Sequence, residues 1–376
     1  MTAKRRGKKK SIWTKILLAI NFFFIAMLLL SYGAPYISPA RFWEFAFLGI
    51  SFPILVAVNL IFLLIWILTW RKYAWITLIA LAIGFNHVNT QIPLRLHSKT
   101  APGNDNLKIL TFNINNFYGT SPFAHEKGLK TKITDFIAQE RPDICCLQEL
   151  LIISKDSAKR MDKFAASIVN RNYFYKNYYS NTDPRRINAL SIFTKYPITG
   201  TGTFRLQDRN VFAIYADLEI NGKTVRVYNV HLESIRFGQE DYSFYEHLTN
   251  NNTSENVPFS KGSFKIFSKL KKAFILRAEQ VDILEKNFAI SPYPILVCGD
   301  FNDTPASYTY HKMSQNLNDS YKEAGSGFLG STYSGSFPSF RIDYILYSDT
   351  FTGYEYKKYG LDLSDHSPVS VKLKMN

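Results

Sequence analysis

The chain has 376 residues and a formal net charge of +15, too long for one small module and suited to two average domains or one large α/β domain with an appendage. Charge alone does not establish a nucleic-acid partner. Part of the excess is the opening Lys4-Arg5-Arg6 and Lys8-Lys9-Lys10 run, which a membrane orientation explains, and the rest is either long-range attraction for phosphate or a solvated basic surface.

Composition divides the chain near residue 100. Ile12 to Ser31 is apolar except for Thr14, Lys15 and Asn21 near its start, and Phe45 to Trp70 carries no charge. Each is long enough for a hydrocarbon core of roughly 30 Å at about 1.5 Å per residue. A shorter apolar stretch, Tyr73 to Val88, is marginal for a span, with re-entrant and interfacial placements as alternatives. Residues 1–98 are thus expected to be a membrane anchor with three helices, about 12–33, 45–70 and 73–89. A signal peptide starts similarly, but a second apolar run follows at once and would retain the product in the membrane. The basic N-terminus reads as cytoplasmic, the loop holding Arg41 and Glu44 as outside, and Arg71-Lys72 as inside. Three spans put the remainder on the periplasmic side of an inner membrane; two would leave it in the cytosol. The basic pair splits the apolar stretch where a cytoplasmic turn belongs, which favours three.

Residues 99–106 have linker composition, and 107–376 are ample for a hydrophobic core. Leu107–Phe112 alternates as a strand delivering Asn113 at its tip. Leu129, Ile133, Phe136 and Ile137 mark one helix face, closed by Arg141-Pro142-Asp143. Ile144–Leu147 reads as a short buried strand ending in Gln148-Glu149, and Met161, Phe164, Ala165 and Ile168 as a helix. Further strands are expected at Leu190–Phe193, Phe212–Ile220, Thr224–Leu232, Ile295–Cys298, Ile342–Tyr347 and Val369–Leu373. Residues 236–262 read as an exposed polar loop, followed by a long amphipathic helix through Ile266, Leu270, Phe274, Val281, Leu284 and Phe288. Cys145 and Cys146 point to opposite faces of their strand, so a bond between them is unfavourable. With Cys298 they read as buried hydrophobes.

Strands interleaved with helices, with polar residues at strand ends, predict a layered α/β fold with its site at those ends. The polar groups are Asn113, Glu149, Asn229 with His231, Asp300 with Asn302, Asp343, and Asp365 with His366. Each alone is an ordinary turn or surface residue. Together they offer carboxylates, amides and imidazoles without a good nucleophile, a set suited to an oxygen-ligated cation and attack of water on phosphorus.

Leu110-Thr111-Phe112-Asn113-Ile114, Leu147-Gln148-Glu149, Asn229-Val230-His231-Leu232, Gly299-Asp300-Phe301-Asn302, Ile342-Asp343-Tyr344-Ile345 and Ser364-Asp365-His366 resemble, in order, the motifs of the endonuclease/exonuclease/phosphatase superfamily. The anchor followed by this domain resembles a Bacteroidetes-like subgroup. The resemblance implies a four-layer α/β/β/α sandwich of deoxyribonuclease-I type, preceded here by the helical membrane segment. It also implies Mg²⁺, with Mn²⁺ possible, held by Glu149 with Asn113 and Asp365. Asp300 would activate water and Asn302 would hold it and contact phosphate. His366, stabilised by Asp343, would bind a phosphoryl oxygen, with Asn229 as a further substrate contact. His231 would contact phosphate or protonate the leaving oxygen. Asn115 and His231 stand where the apurinic/apyrimidinic endonucleases carry Asp and Tyr, which points away from that branch. Arg277 and Gln280 either face the site or, the preferred reading, lie on the helix surface; His125, His247 and His311 read as surface residues, and Arg185, Arg186 and Arg341 as either phosphate contacts or structural or solvent-facing. The expectation is a membrane-anchored phosphodiesterase, in first place a nuclease. The alternatives are a phospholipid or sphingomyelin phosphodiesterase, a phosphomonoesterase, or an inactive tethered binding module. The bilayer and a phosphoester are the expected partners; nothing identifies a protein partner.

Overall fold

The computed structural model describes residues 12–376 except 70–71, 86, 89–97, 102, 104–105, 121–127, 154–162, 167, 169–172, 181–185, 207–210, 236, 239, 242–258, 328–329 and 336–338. The opening basic run, Trp70, Arg71, His125, Met161, Arg185, His247 and most of the 236–262 loop therefore lie outside the described residues, as does the side chain of Arg186.

The N-terminal region is helical: α1 (Ile12–Ser31), α2 (Glu44–Ile50), α3 (Phe52–Leu68) and α4 (Ala74–Ile83). By length and apolarity α1 could cross a membrane; α2 and α3 do so only as one unit across a 61° bend, and α4 is shorter. The continuous helix expected over 45–70 is thus broken at Ser51. Pro53 has no N–H to donate, so it begins α3 rather than continuing α2.

The polarity of this bundle is partly inverted, since polar side chains share its interior with Leu28, Phe52 and Leu55. Asn21, Asn59 and Thr77 are buried, while Ile54, Ile61, Leu64, Leu68, Ile79 and Ile83 are exposed. Asn21 Oδ1 accepts from Trp66 Nε1 at 2.8 Å and Thr77 Oγ1 at 3.0 Å, tying three helices together. Asn59 donates to the carbonyls of Leu55 and Phe24. At one end Leu18 packs with Trp66 and Tyr73. At the other, Tyr32 stacks on His87 and donates to Ala80 O. α4 therefore runs beside α1 from the level of Leu18 to that of Tyr32.

Beyond the linker, two six-stranded sheets face each other. The first contains β1 (Leu107–Asn113), β2 (Ile144–Ile153), β3 (Tyr173–Ser180), β4 (Arg186–Thr194), β11 (Phe351–Lys358) and β12 (Val369–Met375), in the order β11-β12-β1-β2-β4-β3. The second contains β5 (Ile198–Arg205), β6 (Val211–Ile220), β7 (Lys223–His231), β8 (Ile295–Asp300), β9 (Asn318–Asp319) and β10 (Asp343–Tyr347), ordered β5-β6-β7-β8-β10-β9. Alternation along each strand builds three apolar layers. Ile109, Cys146, Ile192, Ile214, Val227, Cys298 and Ile345 fill the space between the sheets. Leu110, Cys145 and Phe193 face outward to α5 (Leu129–Glu140). Tyr228, Val230 and Val297 face outward to α6 (Phe259–Ala289). The result is the expected four-layer α/β/β/α sandwich. All three cysteines are buried free thiols.

Each sheet contains one parallel pair, β1 with β2 and β7 with β8, joined through α5 and α6 respectively. The C-terminal ends of both pairs meet at one edge of the sandwich, where function gathers in such sheets. Strands β3, β5, β9 and β11 were not expected from the sequence. β5 and β11 are edge strands with half-exposed faces, and the two residues of β9 are too few to show a period.

Candidate active site

Asn113 ends β1, His231 ends β7, Asp300 ends β8 and Asp343 begins β10. His231 pairs with Asp300, and Asp300 with Asp343, across adjacent strands. Glu149 arrives differently. β2 does not stop at Leu147 but runs on to Ile153, with Glu149 inside a bulge between Leu147 and Leu150. There Gln148 and Glu149 oppose one residue of β4, and Glu149 takes a left-handed φ of 53°. Such a bulge re-aims a side chain that regular alternation would send elsewhere.

Close packing behind Asp300 needs Gly299. Its φ is 140°, and a Cβ there would lie 1.9 Å from Val230 O. Only glycine admits that approach of β7 to β8.

Asp300 is buried; its Oδ1 accepts from Asn302 N at 2.7 Å, and its Oδ2 from Asn113 Nδ2 at 3.0 Å and Asn302 Nδ2 at 3.2 Å. His366 Nε2 lies 3.7 Å and His231 Nε2 3.8 Å from the same Oδ2. Burial pushes the Asp300 carboxyl above its usual range, against the pull of His366 and His231. His366 Nδ1 meets Asp343 Oδ2 at 3.0 Å. Burial disfavours a charged ring, but Asp343 and Asp300 outweigh it and hold His366 well above the usual histidine range. Thr332 Oγ1 accepts from the backbone N–H groups of Ile342 and Asp343, fixing the carboxylate behind the ring.

Across the cleft Glu149 accepts from Asn116 Nδ2 at 2.6 Å and Asn113 Nδ2 at 3.3 Å, with His231 Nε2 3.4 Å away. Asp365 sits beside it, its carboxyl pushed to about 6 by burial, against the pull of His366, with Glu149 and Asp300 adding to the rise. Three carboxylates thus share one cleft, and their repulsion adds to the burial that raises Asp365. A hard divalent cation held by Glu149 and Asp365 would offset both, and an oxygen donor set suits Mg²⁺ or Mn²⁺. Asp300, Asp343 and His366 also lie close enough together to hold an ion. That trio, however, already contains an imidazole held toward its charged form, which repels a cation.

Four expected residues differ from their reading. Asn113 turns its amide nitrogen toward Glu149 and Asp300, an orientation fixed by Asn115 N donating to its Oδ1. It positions the carboxylates rather than presenting an oxygen to a metal. Asn229 is fully buried between the sheets, donating to Leu147 O and Ser191 O and accepting from Gln148 Nε2, so no substrate reaches it. Arg277 and Gln280 are not helix surface. Arg277 bonds Asp303 and Glu233 O, and Gln280 accepts from Glu233 N, so both hold the segment leaving His231. Arg341 is buried on Asp319, a structural pair, and His311 packs edge-on against Tyr36.

Two residues were missed. Asn116 follows Asn113 in a run, Asn115 to Phe117, with φ between 43° and 62°. The signal was the Asn-Asn pair itself, since asparagine tolerates the left-handed region. Gln148 links Thr111 to Asn229 under the site and has no comparable signal.

The cleft encloses about 380 Å³, lined by Glu149, Asp300, Asn302, Asp365 and His366 on one side. The other side is apolar and includes Ile50 from α2.

Comparison with known proteins agrees with this geometry. Residues 110–366 match the Endonuclease/Exonuclease/phosphatase family, and residues 14–91 match a domain of unknown function. Among solved structures, an endonuclease/exonuclease/phosphatase from Beutenbergia cavernae is 17% identical over 72% of each chain, with a TM-score of 0.52. One from Bacteroides vulgatus is 19% identical over 73% of this chain and 100% of that one, with a TM-score of 0.47. The human nocturnin catalytic domain, with bound sulfate, is 16% identical over 72% and 94%, with a TM-score of 0.48. No curated protein matches the chain.

Proposed function

The chain belongs to the endonuclease/exonuclease/phosphatase family, whose members hydrolyse phosphoesters, and we propose that it is a membrane-anchored, metal-dependent phosphodiesterase. The observation that carries the chemistry is the convergence of Asp300, His366 and Glu149 on one cleft.

Glu149 and Asp365 would hold Mg²⁺ or Mn²⁺, with Asn113 and Asn116 orienting Glu149. When bound, the cation neutralises charge on the phosphate oxygens and stabilises the leaving oxygen. Asp300 removes the proton from the attacking water. Burial makes it a stronger base than a solvated carboxylate, and Asn302 fixes its direction. His366, held toward its charged form by Asp343, donates to a non-bridging oxygen as negative charge gathers there. His231, bordering both carboxylates, delivers the proton to the leaving alkoxide.

The inverted polarity of α1, α3 and α4 supports the membrane reading, because exposed apolar faces around hydrogen-bonded polar residues suit lipid rather than water. Side matters too. The catalytic domain touches the segment between α1 and α3, through Tyr36 on His311, Phe47 on Phe267 and Gly49 at Ala306. That contact supports a reading in which the domain shares a side with the α1–α3 connection. Three crossings achieve this: a cytoplasmic N-terminus, the connection outside, and the domain outside after α4.

The test is hydrolysis of a chromogenic phosphodiester by the full-length protein in detergent. We expect turnover with Mg²⁺ or Mn²⁺ that is abolished by chelator. Metal-independent turnover would refute the cation assignment, and silence would favour the inactive binding module. A reporter fused at the C-terminus and active only in the cytosol should stay dark; a signal would refute the three-crossing topology.

A further inference from the structure

The cleft has two unlike walls. Besides the catalytic groups, Ile50, Ile235, Phe237, Ile266 and Leu270 line it, with Phe340 on the segment that leads to Asp343. Ile50 is the last residue of α2, which is packed onto the catalytic domain. Phe47 stacks on Phe267 at 4.6 Å and meets Phe274 edge-on at 5.2 Å, Trp43 lies edge-on to Phe267, and Lys271 sits over the Trp43 ring. A Cβ on Gly49 would lie 2.9 Å from Ala306 O, so the two parts are in backbone contact. Ala306 itself packs with Leu28, Phe52 and Leu55 of the helical bundle. Five residues separate it from Asp300 in sequence.

The apolar wall therefore continues into the helices that face lipid. Ile54 is 66% exposed on the outer face of α3, four residues after Ile50. Nearby, Phe264 is 73% exposed at the start of α6, with Lys265 and Lys272 exposed on the same helix. Exposed aromatics interleaved with lysines suit a headgroup layer.

A nucleic-acid strand needs cations along its path on both sides of the scissile phosphate. Among the described residues, the cleft lining holds one cation besides His366, Arg277, and its guanidinium already bonds Asp303 and Glu233 O. The rest of the described lining combines a few uncharged polar groups, such as Ser234, Thr304 and Tyr333, with a larger share of hydrocarbon.

We propose that the substrate is a membrane lipid with a phosphodiester headgroup, which enters the cleft from the bilayer while an acyl chain lies along the wall that starts at Ile50. This rests on the phosphodiesterase reading above. Water forms the new O–P bond, the P–O bond to one alcohol breaks, and the proton taken by Asp300 is balanced by one given to the departing oxygen. The products are a phosphomonoester and a free alcohol.

The experiment uses the full-length protein reconstituted in vesicles of phosphatidylethanolamine and phosphatidylglycerol. Headgroup release is followed by mass spectrometry, and the same preparation is assayed on bis(4-nitrophenyl) phosphate and on a single-stranded DNA oligonucleotide. We expect metal-dependent lipid cleavage and little cleavage of DNA. Ile50→Asn should lower kcat/KM for lipid relative to kcat/KM for the chromogenic ester at least tenfold, chiefly through KM. Phe340→Ser, on the segment before β10 rather than on α2, should shift the same ratio in the same direction and guards against misfolding of α2. DNA cleaved with lipid untouched would make the protein a tethered nuclease and overturn the proposal. A ratio unchanged in both variants would also overturn it. Loss of chromogenic turnover in the wild type would instead refute the hydrolase reading on which it rests.

Discussion

The helical bundle and the sandwich solve opposite problems with the same residues. In the sandwich Ile, Val and Leu fill the space between sheets and the polar groups gather at one edge. In the bundle Asn21, Asn59 and Thr77 turn inward beside Leu28 and Leu55, while many other Leu and Ile side chains face out. A lipid surrounding, as proposed above, accounts for that exposure, because apolar burial stabilises a fold only where the alternative is water. The contrast teaches where each part keeps its specificity. The sandwich uses close packing to hold a polar site, whereas the bundle uses a few hydrogen bonds to set helix register. Substitutions in each part should therefore differ in kind as well as in size.

The largest effect is expected from Asp300→Asn. An amide cannot take the proton from water, so turnover should fall about a thousandfold, within the range of roughly 10²–10⁴ typical of an acid–base group. The sandwich should stay folded, with a modest shift of the thermal unfolding midpoint, because the amide keeps the shape but cannot accept every hydrogen bond that the carboxylate does. Turnover within tenfold of wild type would remove Asp300 from the mechanism.

Next comes Gly299→Ala, which should act through the fold. The added Cβ meets Val230 O at 1.9 Å, so β7 and β8 must separate. A loss of about 3 kcal/mol is expected, in line with overpacked sites. Calorimetry of the full-length protein should show it as a lower transition for the sandwich. An unchanged transition would mean the two strands can part cheaply.

How far the sequence foretold these two effects is instructive. Asp300 was legible because it ends an apolar run, the pattern by which a strand delivers a polar group to an edge. Glu149 looked equally legible but for the wrong reason, since β2 runs past it and the bulge, not the strand's end, aims it. Asn229 misled because His231 two residues on shares its face of β7; one sits at the tip, while the other lies between the sheets, bonded to Gln148. Arg277 and Gln280 misled because a polar residue on an amphipathic helix is read as solvent-facing, whereas their partners come from the segment after β7, distant in sequence. Edge strands β5 and β11 lacked a fully buried face to reveal them. The α2–α3 bend was signalled by Pro53, but an apolar run hides its own breaks when length is the only criterion.

A smaller effect is expected from Asn116→Ala. It removes the 2.6 Å hydrogen bond to Glu149 but leaves the carboxylate in its bulge. Groups that orient a metal ligand are worth about 10–100-fold in affinity. The Mg²⁺ concentration giving half-maximal turnover should rise by about tenfold, with saturated turnover changing less. A fall in turnover without change in that concentration would place Asn116 outside metal orientation.

The smallest effect, and the one that divides the two regions most sharply, is expected from Asn21→Leu. In a water-soluble bundle, replacing a buried Asn by Leu removes a desolvated amide and generally improves the core. In lipid the unfolded reference differs: separated helices are already surrounded by hydrocarbon, so Leu gains nothing on association. What remains is the loss of the bonds from Trp66 and Thr77. Such contacts average about 0.6 kcal/mol in bilayers, with a maximum near 1.7, so the bundle should be weaker by about 1 kcal/mol. Unfolding of the reconstituted protein with increasing dodecyl sulfate, followed by Trp66 fluorescence, should show an earlier transition. A later transition would mean that this bundle obeys the water-soluble rule and that its exposed leucines and isoleucines are covered by something other than lipid.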